Sequence, residues 1–97
     1  MSLSSSKRRS KLEVNRDVLL EVKKSGVGIS PTNLMRKSNL SFGMFEEYIS
    51  DLERRGFLVR EGVGKKSSRF VFVLTDRGIN FLNRFDDFRE FLNEFGF

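Results

Sequence analysis

Residues 30–56 read SPTNLMRKSNLSFGMFEEYISDLERRG, and their punctuation decides how the chain folds. Ser30-Pro31 opens a helix. The hydroxyl can accept one of the unpaired first-turn N–H groups, and proline has a φ already suited to the first helical position. The short helix predicted over Pro31–Lys37 turns Leu34 and Met35 inward. Asn39-Leu40-Ser41 interrupts it, and Ser41 offers a second capping hydroxyl. Phe45, Tyr48, Ile49 and Leu52 then recur at helical spacing. This second helix runs to about Arg55. Gly56 stops it, at a position where helices favour a left-handed residue.

Working outward, Ser10 and Glu13 have capping-box spacing. Leu12, Val14, Val18, Leu19 and Val22 form the apolar face of an earlier helix, which ends near Ser25 because Gly26 and Gly28 follow. On the other side, Phe57–Arg60 reads as a short strand and Gly62–Ser68 as a basic loop. Arg69–Leu74 is a second strand, rich in aromatic and β-branched residues. Thr75 caps a last helix, with Asp76 at its positive end. The expected fold class is mainly α with a small β-hairpin (α+β). A short helix turning tightly into a longer one is a helix-turn-helix, and the hairpin after it supplies a wing. Residues 1–8 are expected to be a disordered basic arm, 9–75 the domain, and 76–97 a C-terminal dimerisation helix.

A chain of 97 residues suits one domain. It contains no Cys and no His, which removes disulfides, thiolate nucleophiles, thiolate zinc sites and imidazole chemistry. No cluster pairs a nucleophile with a base, so neither an enzyme nor a bound cofactor or metal is expected. No apolar run approaches the roughly 20 residues of a membrane span. The expected location is cytoplasmic and nucleoid-associated. Net charge is +5, unevenly spread: +6 over residues 1–40, −2 over 41–59, +3 over 60–75 and −2 over 76–97. The first 40 residues and the hairpin loop are thus the parts suited to a polyanion.

Four segments carry a family resemblance: Arg9–Glu13 (RSKLE), Asn39–Ser41 (NLS), Leu52–Leu58 (LERRGFL) and Leu74–Gly78 (LTDRG). Through them the chain resembles the archaeal winged helix-turn-helix proteins, especially the small basic DNA-binding proteins of Sulfolobus-type archaea. The resemblance covers residues 9 to about 85. It implies binding of double-stranded DNA, and a homodimer joined through the C-terminal helix as an antiparallel coiled coil. Spacing supports the dimer independently. Phe81, Phe85, Phe88, Leu92 and Phe95 recur at intervals of 4, 3, 4 and 3, a heptad seam flanked by Phe91. The alternative is that this helix folds back over its own domain and completes the core.

In such a fold the second helix of the motif enters the major groove and the wing follows the backbone. Ser41, Phe42, Gly43, Glu46 and Glu47 are the candidates to face the bases. Arg, Lys, Asn and Gln are absent from those two turns, so the common bidentate pairings to guanine and adenine are missing. Glutamate could accept from a cytosine amino group, and Phe42 could touch a thymine methyl. Equally, Glu46 and Glu47 could form a solvated face and Phe42 could be buried under the turn. Phosphate contacts are expected from Arg36 and Lys37, from Lys65, Lys66 and Arg69 with Ser67 and Ser68, and from Arg8, Arg9 and Lys11. Arg54 and Arg55 better suit the negative end of their own helix. Asp86, Asp87, Glu90 and Glu94 read as a solvated flank. Two functions follow. One is a dimeric DNA-binding protein, either a transcription regulator or a chromatin-type architectural protein. The other is a winged-helix protein-interaction module that does not bind DNA.

Overall fold

A computed structural model describes residues 9–65 and 68–96. Its elements are α1 (Lys11–Ser25), α2 (Pro31–Ser38), α3 (Phe42–Arg54), β1 (Leu58–Gly62), β2 (Phe70–Leu74) and α4 (Asp76–Glu94). This is the expected order: three helices, a hairpin and a last helix.

The helix boundaries follow from local chemistry. The Ser10 hydroxyl accepts from the Glu13 N–H at 3.1 Å, and the Glu13 carboxylate accepts from the Ser10 N–H at 3.0 Å. At α2, α3 and α4 the Ser30, Ser41 and Thr75 hydroxyls accept from the N–H groups of Asn33, Met44 and Gly78, without a returning carboxylate. Asn39 adopts the left-handed conformation, φ 57°. Asparagine tolerates it better than most residues. The turn lets the Leu40 N–H reach the Met35 carbonyl at 3.4 Å.

The hairpin pairs antiparallel from Leu58↔Leu74 to Gly62↔Phe70. It differs from the expected strands at both ends. Phe57 is outside β1 because its N–H is used to close α3, reaching the Leu52 carbonyl at 3.0 Å. At the far end β1 continues past Arg60 to Gly62, while β2 begins at Phe70. The sequence reading also omitted a third pairing. Ile29 and Phe72 exchange both backbone hydrogen bonds, at 3.1 and 2.8 Å, and tie the α1–α2 connection to the sheet. Gly28 permits this approach: at its φ of 130°, a Cβ would lie 2.6 Å from a methyl carbon of Val71.

One core joins all the elements. Val14, Val18, Leu19 and Val22 of α1 meet Leu34 of α2 and Phe45, Ile49 and Leu52 of α3. Leu58, Phe72 and Leu82 complete it. Phe72 meets Phe45 edge-on, ring centres 6.3 Å apart, a geometry aromatic pairs favour. Leu12, expected on the buried face of α1, is 48% exposed. It lines an open groove of about 690 Å³ between α1, α3 and the root of α4.

The root of α4 is held closely. Gly78 lies so near the α3–β1 junction that a Cβ would meet the Phe57 carbonyl oxygen at 2.5 Å. The Thr75 hydroxyl donates to the Gly56 carbonyl at 2.6 Å, and Arg77 donates to the Arg55 carbonyl at 2.9 Å. Beyond its first turns α4 leaves the domain. The molecule is accordingly 51 Å long but only 29 by 21 Å across.

Candidate nucleic-acid interface

The candidate interface comprises α3 and the hairpin. Ser41 spends its hydroxyl on the cap, accepting from the Met44 N–H at 3.4 Å. Phe42 follows at the first helical position and is 68% exposed, so its ring is not buried under the turn. Gly43, Glu46 and Glu47 are also exposed.

The two glutamates lie on different flanks. Met44, Glu47, Tyr48, Asp51 and Arg55 border the groove shared with α1 and α4. Phe42, Glu46 and Glu53, spaced by four and seven residues, share the opposite flank. That flank faces the wing, because Arg60 of β1 donates twice to the Glu53 carboxylate, at 2.6 and 3.0 Å. The same guanidinium lies 4.6 Å from the ring centre of Phe70 and 5.5 Å from that of Phe72. The hydrogen bond from Arg60 to Glu53 raises the Arg60 pKa above its ordinary value. Burial opposes this, and the charges of Glu53 and Glu46 add to it. Arg60 was not among the sequence candidates. Its pairing crosses the Gly56 turn, and no spacing rule within one element would reveal it.

The other carboxylates of α3 are unequally neutralised. Asp51 accepts from Arg54 at 2.6 Å and from Arg55 at 2.7 Å. The Arg55 hydrogen bond, then its charge and Arg54, hold the Asp51 carboxyl below its ordinary pKa despite some burial. Arg54 and Arg55 therefore serve the end of their own helix. Among the described residues, Glu46 and Glu47 form no ion pair.

The basic candidates divide as well. Lys65, Ser68 and Arg69 stand exposed at the wing. The Arg69 carbonyl accepts from the Val63 N–H at 3.0 Å, which closes the loop. Arg8, Lys66 and Ser67 lie outside the described residues. Arg36 is exposed, with its guanidinium on the Asn33 side-chain oxygen at 2.8 Å, and Lys37 is exposed beside it. Arg9 is engaged inside the domain: it pairs with Asp17 at 2.9 Å and donates to the Ser38 carbonyl at 2.9 Å, joining α1 to the end of α2. Lys11 borders the groove.

The aromatic row of α4 is split. Phe81 packs at a tilt against Phe57 of its own domain, centres 5.1 Å apart, and Phe85 lies half-buried under Arg16 at 5.7 Å. Phe88 and Phe95 are 57% and 64% exposed, with Phe91 between them and also exposed. The Phe91 ring contacts both, at 6.5 and 5.1 Å between centres. Leu92 is half-buried.

A capped three-helix unit, a wing tied to its third helix, and a sequence match to the winged helix-turn-helix profile over residues 8–93 decide the family. The chain belongs to the winged helix-turn-helix family. No curated protein matches the sequence. Solved winged-helix structures do match in shape. The PcaV transcriptional regulator of Streptomyces coelicolor aligns with a TM-score of 0.71 at 22% identity, over 84% of this chain and 59% of that one. Staphylococcus aureus MepR, in a complex with DNA, aligns with a TM-score of 0.72 at 14% identity, over 96% and 67%. Sso10a-2, a DNA-binding protein from Sulfolobus solfataricus, aligns with a TM-score of 0.68 at 15% identity, over 90% and 85%. At these identities the likeness is one of fold. This winged helix spans about half to two thirds of the length of the first regulators it matches.

Proposed function

We propose that this winged helix binds double-stranded DNA as a homodimer, with phosphate contacts led by the wing. The observation that carries the reading is the Arg60–Glu53 pair. It ties β1, the strand leading into the cationic wing with Lys65 and Arg69, to the last turn of α3, so helix and wing are held as one unit that can meet a groove and its backbone together. The likeness to MepR solved with DNA and to the DNA-binding Sso10a-2 supports the reading. Phosphate-led binding suits a chromatin-type architectural role as well as regulation at paired sites. The exposed Phe88, Phe91 and Phe95 supply the dimer contact, since an aromatic patch that large favours a partner over water.

The test is affinity for random-sequence duplex measured against salt. The log–log slope is about −0.9 per neutralised phosphate. The Lys65→Glu/Lys66→Glu variant is expected to fold normally, bind far more weakly and lose roughly 1.8 units of slope per protomer. Unchanged affinity in that variant would favour the second reading, a protein-interaction module. The observation behind that reading is the pair of exposed carboxylates, Glu46 and Glu47, on α3.

A further inference from the structure

Phe42 and Glu46 form an unusual pair for a helix that faces DNA. They lie one turn apart on the wing-side flank, and both are exposed. The Phe42 ring is open to solvent, and among the described residues no aromatic or cationic side chain packs against it. Glu46 keeps its charge unpaired among the described residues, whereas Asp51 and Glu53 of the same helix are neutralised by Arg54, Arg55 and Arg60. Gly43 stands beside Phe42 with open space where a side chain would be, so another molecule can come close to the backbone there.

A carboxylate among phosphates is repelled unless a donor meets it. In the major groove, bases offer only two kinds of donor, the N4 amino group of cytosine and the N6 amino group of adenine. On adenine the amino group adjoins the N7 acceptor. On cytosine it adjoins C5, an apolar carbon. A carboxylate and a phenyl ring one helical turn apart therefore match a donor next to an apolar carbon. We infer that Phe42 and Glu46 together read the major-groove edge of cytosine, and that they favour cytosine methylated at C5. The inference rests on duplex-DNA binding. A C5 methyl enlarges the apolar surface that meets Phe42 and leaves the amino group for Glu46. Thymine carries the same methyl, but its O4 acceptor would face the Glu46 carboxylate.

The test uses the full chain and fluorescence anisotropy with three labelled duplexes of equal length. One is G·C-rich with ordinary cytosine, one is the same sequence with 5-methylcytosine, and one is A·T-rich. The expected affinity order is 5-methylcytosine, cytosine, then A·T, each step on the order of threefold to tenfold. Phe42→Ala is expected to abolish the step between methylated and ordinary cytosine. Glu46→Ala is expected to shrink the step between 5-methylcytosine and A·T, two duplexes that both present pyrimidine methyl groups. Both residues are exposed, and circular dichroism and melting confirm that the variants fold. Equal affinity for all three duplexes, with ordinary salt dependence, overturns the inference and leaves DNA binding standing. Discrimination that persists in both variants also overturns it. Failure to bind any duplex at low salt removes the DNA reading itself.

Discussion

The Arg60 guanidinium closes on the Glu53 carboxylate with two hydrogen bonds while lying over the ring of Phe70. One side chain thus couples the third helix, the first strand and the second strand. Its aromatic contacts restrict the fork before the carboxylate arrives, so less rotamer freedom is lost on pairing. Since Arg60 is about half exposed, water and salt screen the charge. The coupling between Arg60→Ala and Glu53→Ala in a double-mutant cycle is expected to be about 0.5–1 kcal/mol. Urea unfolding measures it. A value near zero would mean that the packing of β1 alone sets the wing angle.

Gly78→Ala tests how tightly α4 is rooted. Alanine would favour the helix by about 1 kcal/mol at an open position. Here the added carbon would lie 2.5 Å from the Phe57 carbonyl oxygen and 2.6 Å from a Leu74 methyl. Neither α4 nor the junction can yield without disturbing the other. The expected result is a net loss of about 1–3 kcal/mol in thermal or urea unfolding.

Phe88→Ser with Phe95→Ser tests the dimer. Both rings are mostly exposed and distant from the domain core, so the melting behaviour of the winged helix itself should change little. Light scattering or sedimentation is expected to give twice the chain mass for the parent and a single-chain mass for the variant. A parent that stays monomeric at high concentration would refute the dimer contact proposed for α4.

Asp51 sets a pH dependence. Its carboxyl is held below the ordinary value of 3.8 in the folded protein, first by the Arg55 hydrogen bond. A depressed folded-state pKa contributes stability that is present above 3.8 and is lost as pH falls through the lower folded value. Asp51→Asn should therefore lower the melting temperature at neutral pH. The gap from the parent should close below pH 3.8. The reverse trend would mean that Asp51 is not paired in solution.

Much of this architecture was legible from residues within four positions of one another. Ser10, Ser30, Ser41 and Thr75 each mark a helix start because a cap involves only the next turn. Gly56 and Asn39 mark turns because backbone sterics are local. The wing lysines and the two turns of α3 lacking Arg, Lys, Asn and Gln were equally plain, as was a row of phenylalanines at heptad spacing.

What the sequence could not determine was which partner each exposed-looking side chain would find. Arg9 reads in the sequence as a phosphate contact, yet packing brings it to Asp17 and to the Ser38 carbonyl. Phe81 and Phe88 share one periodic row, but the α4 root presses Phe81 onto Phe57 and leaves Phe88 in solvent. Glu46 and Glu47 are neighbours in the chain and differ only in which flank faces the wing. The physical reason is the same in each case. Caps, turns and periodicity are set by short-range geometry, whereas these pairings arise only when separate helices and strands are fixed against a common core. By itself the sequence determined the order of elements and their ends. The tertiary structure decided which residues of those elements remain free to meet another molecule.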